Sequence, residues 1–68
     1  MPSEIVFPNG GSVSVCADFQ EVADALARGD VTLETARFAG FRDGEPVAGE
    51  RVLVRLAKIA YVRGISGP

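Results

Sequence analysis

The chain has no histidine and a single cysteine, and these two gaps remove most of the chemistry a small protein can carry. Without imidazole, the usual base that activates a serine or cysteine nucleophile is missing, and so are the common zinc ligand sets. Cys16 on its own cannot close an internal disulfide. No apolar run approaches the ~20 residues needed to cross a bilayer. The opening Met-Pro-Ser-Glu carries no basic segment leading into a long apolar stretch, so no secretory leader is expected. One free thiol and no export segment point to a reducing interior, and the cytoplasm is the expected compartment. No cofactor, metal or small-molecule substrate is expected, and no membrane partner.

The chain is also short. Sixty-eight residues make one small domain, and such a chain buries only about 60% of the surface its unfolded form exposes. Its core is expected to supply ~3–5 kcal/mol net, so chains of this size usually need a staple. Disulfides and structural zinc being absent, oligomerisation is the staple left. Hydrophobic residues at 47% and charged residues at 24% give a globular balance rather than a disordered one.

What is present reads as alternating strand and helix signals. Glu4–Phe7 forms a short strand closed by Pro8-Asn9-Gly10-Gly11, where Asn-Gly is the preferred pair for a tight hairpin. In the next run Ser12, Ser14 and Cys16 face one way and Val13, Val15 and Ala17 the other, so residues 4–17 are a predicted β-hairpin. Asp18-Phe-Gln-Glu21 has capping-box spacing, and Phe19, Val22, Ala23 and Leu26 form one apolar stripe. Gly29 is placed to end that helix, predicted over residues 18–28. Val31–Phe41 and Arg51–Val62 form a second strand pair, joined by a loop over residues 42–50. The tail from Gly64 to Pro68 lacks regular character. The expected fold is α+β: a ββαββ antiparallel sheet with one helix packed on one face, with a small curled barrel as the alternative.

The run from Arg51 to Arg63 is the most informative, because it is apolar on both faces where a strand with one wet side should alternate. Pairing Phe41 with Arg51 puts Glu34 opposite Lys58 and Arg37 opposite Arg55. In that register Ala36, Phe38, Val52, Val54, Leu56 and Val62 meet the helix. The opposite face carries Leu33, Phe41, Leu53, Ile59 and Tyr61 among Arg37, Arg51 and Arg55, and these are the candidate interaction residues. A turn or bulge near Leu56–Lys58 would reset this parity.

Arginine beside aromatics suits a phosphate backbone and stacked bases, and equally a protein interface. Net charge −2 divides unevenly. Residues 1–34 hold six acids against Arg28, a balance of −5, and residues 35–68 hold six bases against Asp43, Glu45 and Glu50, a balance of +3. An acidic end of one copy can then face a basic end of the next. The expected partner is a second copy or another protein, with nucleic acid the alternative, bound through Arg37, Arg51, Arg55 and Arg63. Asp18, Glu21 and Asp24 are read as helix-cap and solvent-facing acids rather than a cation site, and Arg28-Gly29-Asp30 as a helix end rather than an adhesion tripeptide.

Six arginines to one lysine, with nine alanines, nine valines and one asparagine, suggest a GC-rich genome. The segments "EVADALARG" at Glu21–Gly29 and "KIAYV" at Lys58–Val62 resemble the pattern in small actinobacterial and actinophage proteins of unknown role. Those have a short helix ending in glycine, then a hairpin whose last strand reads "IAYV". The resemblance implies a small α+β unit and carries no active-site residues across. The loop at 42–50 departs from the tighter turn the pattern implies. An interaction module, in one form a phage accessory or virion component, is the expected function.

Overall fold

Residues 1–66 are described by a computed structural model. Local chemistry dictates the one helix, α1 (Phe19–Arg28). Asp18 sits at its N-cap in an extended conformation and its carboxylate accepts from Gln20 N–H at 3.2 Å, while Glu21 accepts from Asp18 N–H at 3.3 Å. Two otherwise orphaned amides are satisfied in this way. At the other end Gly29 takes φ 79°, ψ 23°, and donates to Leu26 O while Asp30 N–H reaches Ala25 O at 3.0 Å. That pair of bonds is a Schellman motif.

Five strands flank the helix: β1 (Ser3–Val6), β2 (Ser12–Val15), β3 (Thr32–Arg42), β4 (Glu45–Arg55) and β5 (Tyr61–Gly64). They form an open antiparallel sheet in the order β4-β3-β2-β1-β5. The element order is therefore ββαβββ, not ββαββ, and the sheet does not close into a barrel. The added strand arises because the run after Arg51 is broken. Leu56–Lys58 forms a single 3₁₀ turn, anchored by Leu56 N–H donating to Val31 O at 2.8 Å and by the Leu56 side chain buried in the core. The chain then crosses to the far edge, where β5 pairs with β1 (Ile5 opposite Val62). Ile65 N–H extends that ladder to Pro2 O at 2.8 Å. Of the tail read as irregular, Gly64 ends β5, while Gly67 and Pro68 lie outside the described residues.

The first turn differs from the two-residue Asn9-Gly10 hairpin. Phe7 accepts from Gly10 N–H at 3.0 Å, so Pro8 and Asn9 occupy the central turn positions and Gly10 alone has positive φ, 91°. Proline pre-sets φ for the first of those positions. The two-residue turn instead lies at Asp43-Gly44, with φ of 52° and 80°, between the paired residues Arg42 and Glu45. Positive φ at both positions fits the right-handed strand twist. The predicted loop at 42–50 is thus mostly strand.

That turn also resets the pairing. Arg51 lies opposite Ala36, Phe41 opposite Pro46, Glu34 opposite Leu53 and Arg55 opposite Thr32, so the pairing of Arg37 with Arg55 does not occur. The register shifts at two places that compensate. Gly49 and Glu50 lie opposite Arg37 alone, and Ala39 and Gly40 lie opposite Val47 alone. Each bulge contains a glycine, as close approach and unusual φ demand. A Cβ on Gly49 would meet Arg37 O at 3.2 Å, and Gly40 has φ 105°.

The core is Ile5, Val15, Ala17, Val22, Ala25, Val54 and Leu56, with Phe7, Val13, Leu33, Val52, Ile59 and Val62 packed against it. Val15, Ala17 and Val13 point inward and Ser12 outward, as the alternation of β2 predicts. Buried Ser3 ties β1 to the segment before α1 by donating its hydroxyl to Ala17 O at 2.7 Å. The helix reaches the core through Val22 and Ala25, not through the whole predicted stripe: Phe19 is 46% exposed and Leu26 41%.

Candidate interaction surface

Leu53 stands exposed near the C-terminal end of β4. As a strand at the sheet's edge, β4 has one side paired to β3 and the other without a strand partner among the described residues. Alternation puts Arg51, Leu53 and Arg55 on one face of β4, and Val52 and Val54 on the face that meets the core. The result is an apolar side chain, 67% exposed, between two exposed guanidinium groups.

The other residues expected beside Leu53 divide. Leu33 lies opposite Val54 and packs on the core, and Ile59, displaced by the 3₁₀ turn, packs there too. Both are half-buried there and leave the Leu53 face. Tyr61 is 52% exposed, but on β5, whose place in the sheet is at the edge opposite β4. Phe41 is half-buried in an edge-to-face contact with Phe38, centroids 5.0 Å apart and planes at 70°. The bulge at Ala39-Gly40 brings Phe41 to the same side of β3 as Phe38, and neither Ala36 nor Phe38 meets the helix, because Ala36 pairs with Arg51 on the face away from the core. Of the eight candidates, Leu53, Arg51 and Arg55 share one strand face. Arg37 stands apart on β3, opposite Val15.

Most of the arginines already have acidic partners. Arg37 Nε donates to Glu50 Oε1 at 2.9 Å, Arg51 lies 3.6 Å from Glu34, and Arg63 Nε donates to Glu4 Oε1 at 2.5 Å. Arg55, Arg42 and Lys58 have no acidic partner among the described residues. The Arg63 contact, with a hydroxyl from Ser12 at 3.0 Å, holds the Glu4 carboxyl below its ordinary range. The Met1 amine does the same for Asp18, which also caps the helix. Arg28 binds Asp30 at 2.8 Å, so the two charges of Arg28-Gly29-Asp30 satisfy each other across the helix cap.

Cys16 Sγ lies 3.8 Å from Arg37 O and 3.7 Å from Val47 O, a packing position where β2 meets its neighbours. No pocket and no cluster of metal-ligating side chains occurs among the described residues. No described helix is long and apolar enough to cross a membrane.

One surface was missed in the sequence. Phe19, Ala23 and Leu26 follow one another at i, i+4 and i+7, beside the buried pair Val22 and Ala25. The signal was the width of the apolar arc, too broad for a ten-residue helix to bury on one small sheet. Comparison with protein-family models, with curated proteins and with solved structures finds no match for the chain.

Proposed function

We propose that the protein is a non-enzymatic interaction module that self-associates or docks a protein partner through the outer face of its β3–β4 hairpin. The observation that carries this reading is Leu53, 67% exposed on an edge strand between Arg51 and Arg55. Arginine is enriched at protein interfaces, and covering Leu53 with a partner would remove exposed apolar surface from water. The helix covers the opposite face of the sheet, through Val22 and Ala25, so the protein's own fold supplies a lid for one side only. A chain of 68 residues without disulfide gains from association what its core does not supply.

The pairing of Arg37, Arg51 and Arg63 with Glu50, Glu34 and Glu4 favours a protein partner over nucleic acid. A phosphate backbone would have to displace those carboxylates, and the counterion release that drives such binding would be correspondingly small. An accessory or virion component of an actinophage is one concrete form of such a module.

The self-associating form is tested by sedimentation velocity across the micromolar range. Concentration-dependent assembly is expected, and Leu53→Asp should abolish it without unfolding the chain. A species that stays monomeric throughout refutes self-association. A labelled oligonucleotide should show no shift at low salt, and a salt-sensitive shift would favour nucleic acid instead.

A further inference from the structure

We infer that Asn9 is a deamidation site whose reaction is gated by the turn between β1 and β2. Asn9 is the single asparagine of the chain, and Gly10 follows it. Both are exposed at the tip of that turn. In an Asn-Gly pair the glycine amide nitrogen can attack the carboxamide carbon, because no Cβ hinders the approach. Hydroxide takes the Gly10 N–H proton, and the nitrogen bonds to Asn9 Cγ. The Cγ–Nδ2 bond then breaks, and the leaving group takes a proton from water to depart as ammonia. A second water opens the cyclic imide at either carbonyl, which leaves an aspartyl or an isoaspartyl residue at position 9. Water and hydroxide are the only co-reactants.

The fold engages both reacting groups. Gly10 N–H donates to Phe7 O at 3.0 Å, and Asn9 Oδ1 accepts from Gly11 N–H at 2.8 Å. Phe7 N–H in turn donates to Gly11 O at 2.8 Å, closing the hairpin. The proton that has to leave Gly10 is therefore held, and the carboxamide is fixed in an Asx turn. Ring closure has to wait until the turn opens. Exposed turns open locally at far lower cost than a core strand, so the site is slowed rather than sealed. Conversion adds one negative charge, taking the net charge from −2 to −3. The isoaspartyl product also routes the main chain through the side-chain carbon. That lengthens by one atom a turn whose closing bonds fix its span, so the β1–β2 hairpin is expected to loosen.

Incubation at mildly alkaline pH, followed by intact-mass and peptide mass spectrometry, tests this in the folded chain and in guanidinium chloride. The unfolded chain should gain the mass difference between an amide and an acid, mapped to position 9. The folded chain should convert about tenfold more slowly, the factor set by the cost of opening two hydrogen bonds. The Asp43-Gly44 turn can form the same imide, but its return to an acid gains no mass, so the two sites are separated. Asn9→Gln, whose longer side chain would close a larger and slower-forming ring, should keep its mass under both conditions. Equal rates in the folded and unfolded chains would show that the turn does not gate the reaction. An unfolded chain that gains no mass, or a gain that persists in Asn9→Gln, would remove the site itself.

Discussion

Gly40 adopts φ 105° inside a strand, a backbone conformation that side chains rarely take. Nothing lies within 4 Å of where its Cβ would be, so the constraint is conformational rather than steric. Gly40→Ala should cost about 1–3 kcal/mol, read as a lower midpoint in chemical denaturation. Because Gly40 belongs to the bulge that brings Phe38 and Phe41 together, the change should also alter the near-ultraviolet signal of those rings. Unchanged stability would mean the bulge is not required. Glu4 is informative in a different way. Arg63 and Ser12 hold its carboxyl below the ordinary value of 4.5, so its contribution to stability is complete above that value and is lost as pH falls through the lower folded one. Glu4→Gln should therefore be less stable than the unaltered chain at pH 7, and the two denaturation curves should converge in acid. Parallel curves down to pH 2 would sink the assignment. Neither residue was legible as special beforehand. Gly40 sits in a run that alternates like any strand, and the partner of Glu4 is 59 residues away.

Among the elements, α1 was the most legible, because capping is local chemistry written within three or four residues at each end. Asp18→Ala should cost about 0.5–2 kcal/mol through loss of the cap, measured by denaturation and by helical circular dichroism, and an effect near zero would show that the capping box is not formed in solution. The β3–β4 hairpin was half legible. Its strands announce themselves by composition, but register depends on which turn closes them. Asp43-Gly44 was hidden in a stretch that Pro46 and Gly49 make look like a loop. Proline is tolerated there because β4 is an edge strand. The break at Leu56–Lys58 was legible only as a place where a turn or bulge would reset the parity of the strand. It contains neither glycine nor proline, and it is held by burial of Leu56 and by the Val31 carbonyl, which only the tertiary fold supplies. Moving Leu33 and Ile59 inward follows from the position of the Asp43-Gly44 turn and from this break, and on β4 the candidate face keeps Arg51, Leu53 and Arg55.

For the molecule as a whole, the exposed large apolar groups are not gathered on one ribbon: Leu53 lies on β4, Tyr61 on β5, Phe19 and Leu26 on α1, and Met1 and Val31 outside these elements. Assembly through the Leu53 face would engage the exposed charges of Arg51 and Arg55 and should weaken as salt rises, since exposed charges are screened over about 8–10 Å near physiological ionic strength. Sedimentation at low and at high salt should show the assembled fraction falling, and an assembly that strengthens with salt would point to an apolar contact alone.

The last strand completes the sheet beside the first, with Glu4 opposite Arg63 and Gly64 opposite Ser3. Closing a loop of that length precedes any reward from the contact, so the β1–β5 ladder is expected to form late on the folding route. During folding, β1 waits with one edge unsatisfied until the far end of the described chain returns to it. Until β5 docks, that edge of β1 is open to stray strand pairing.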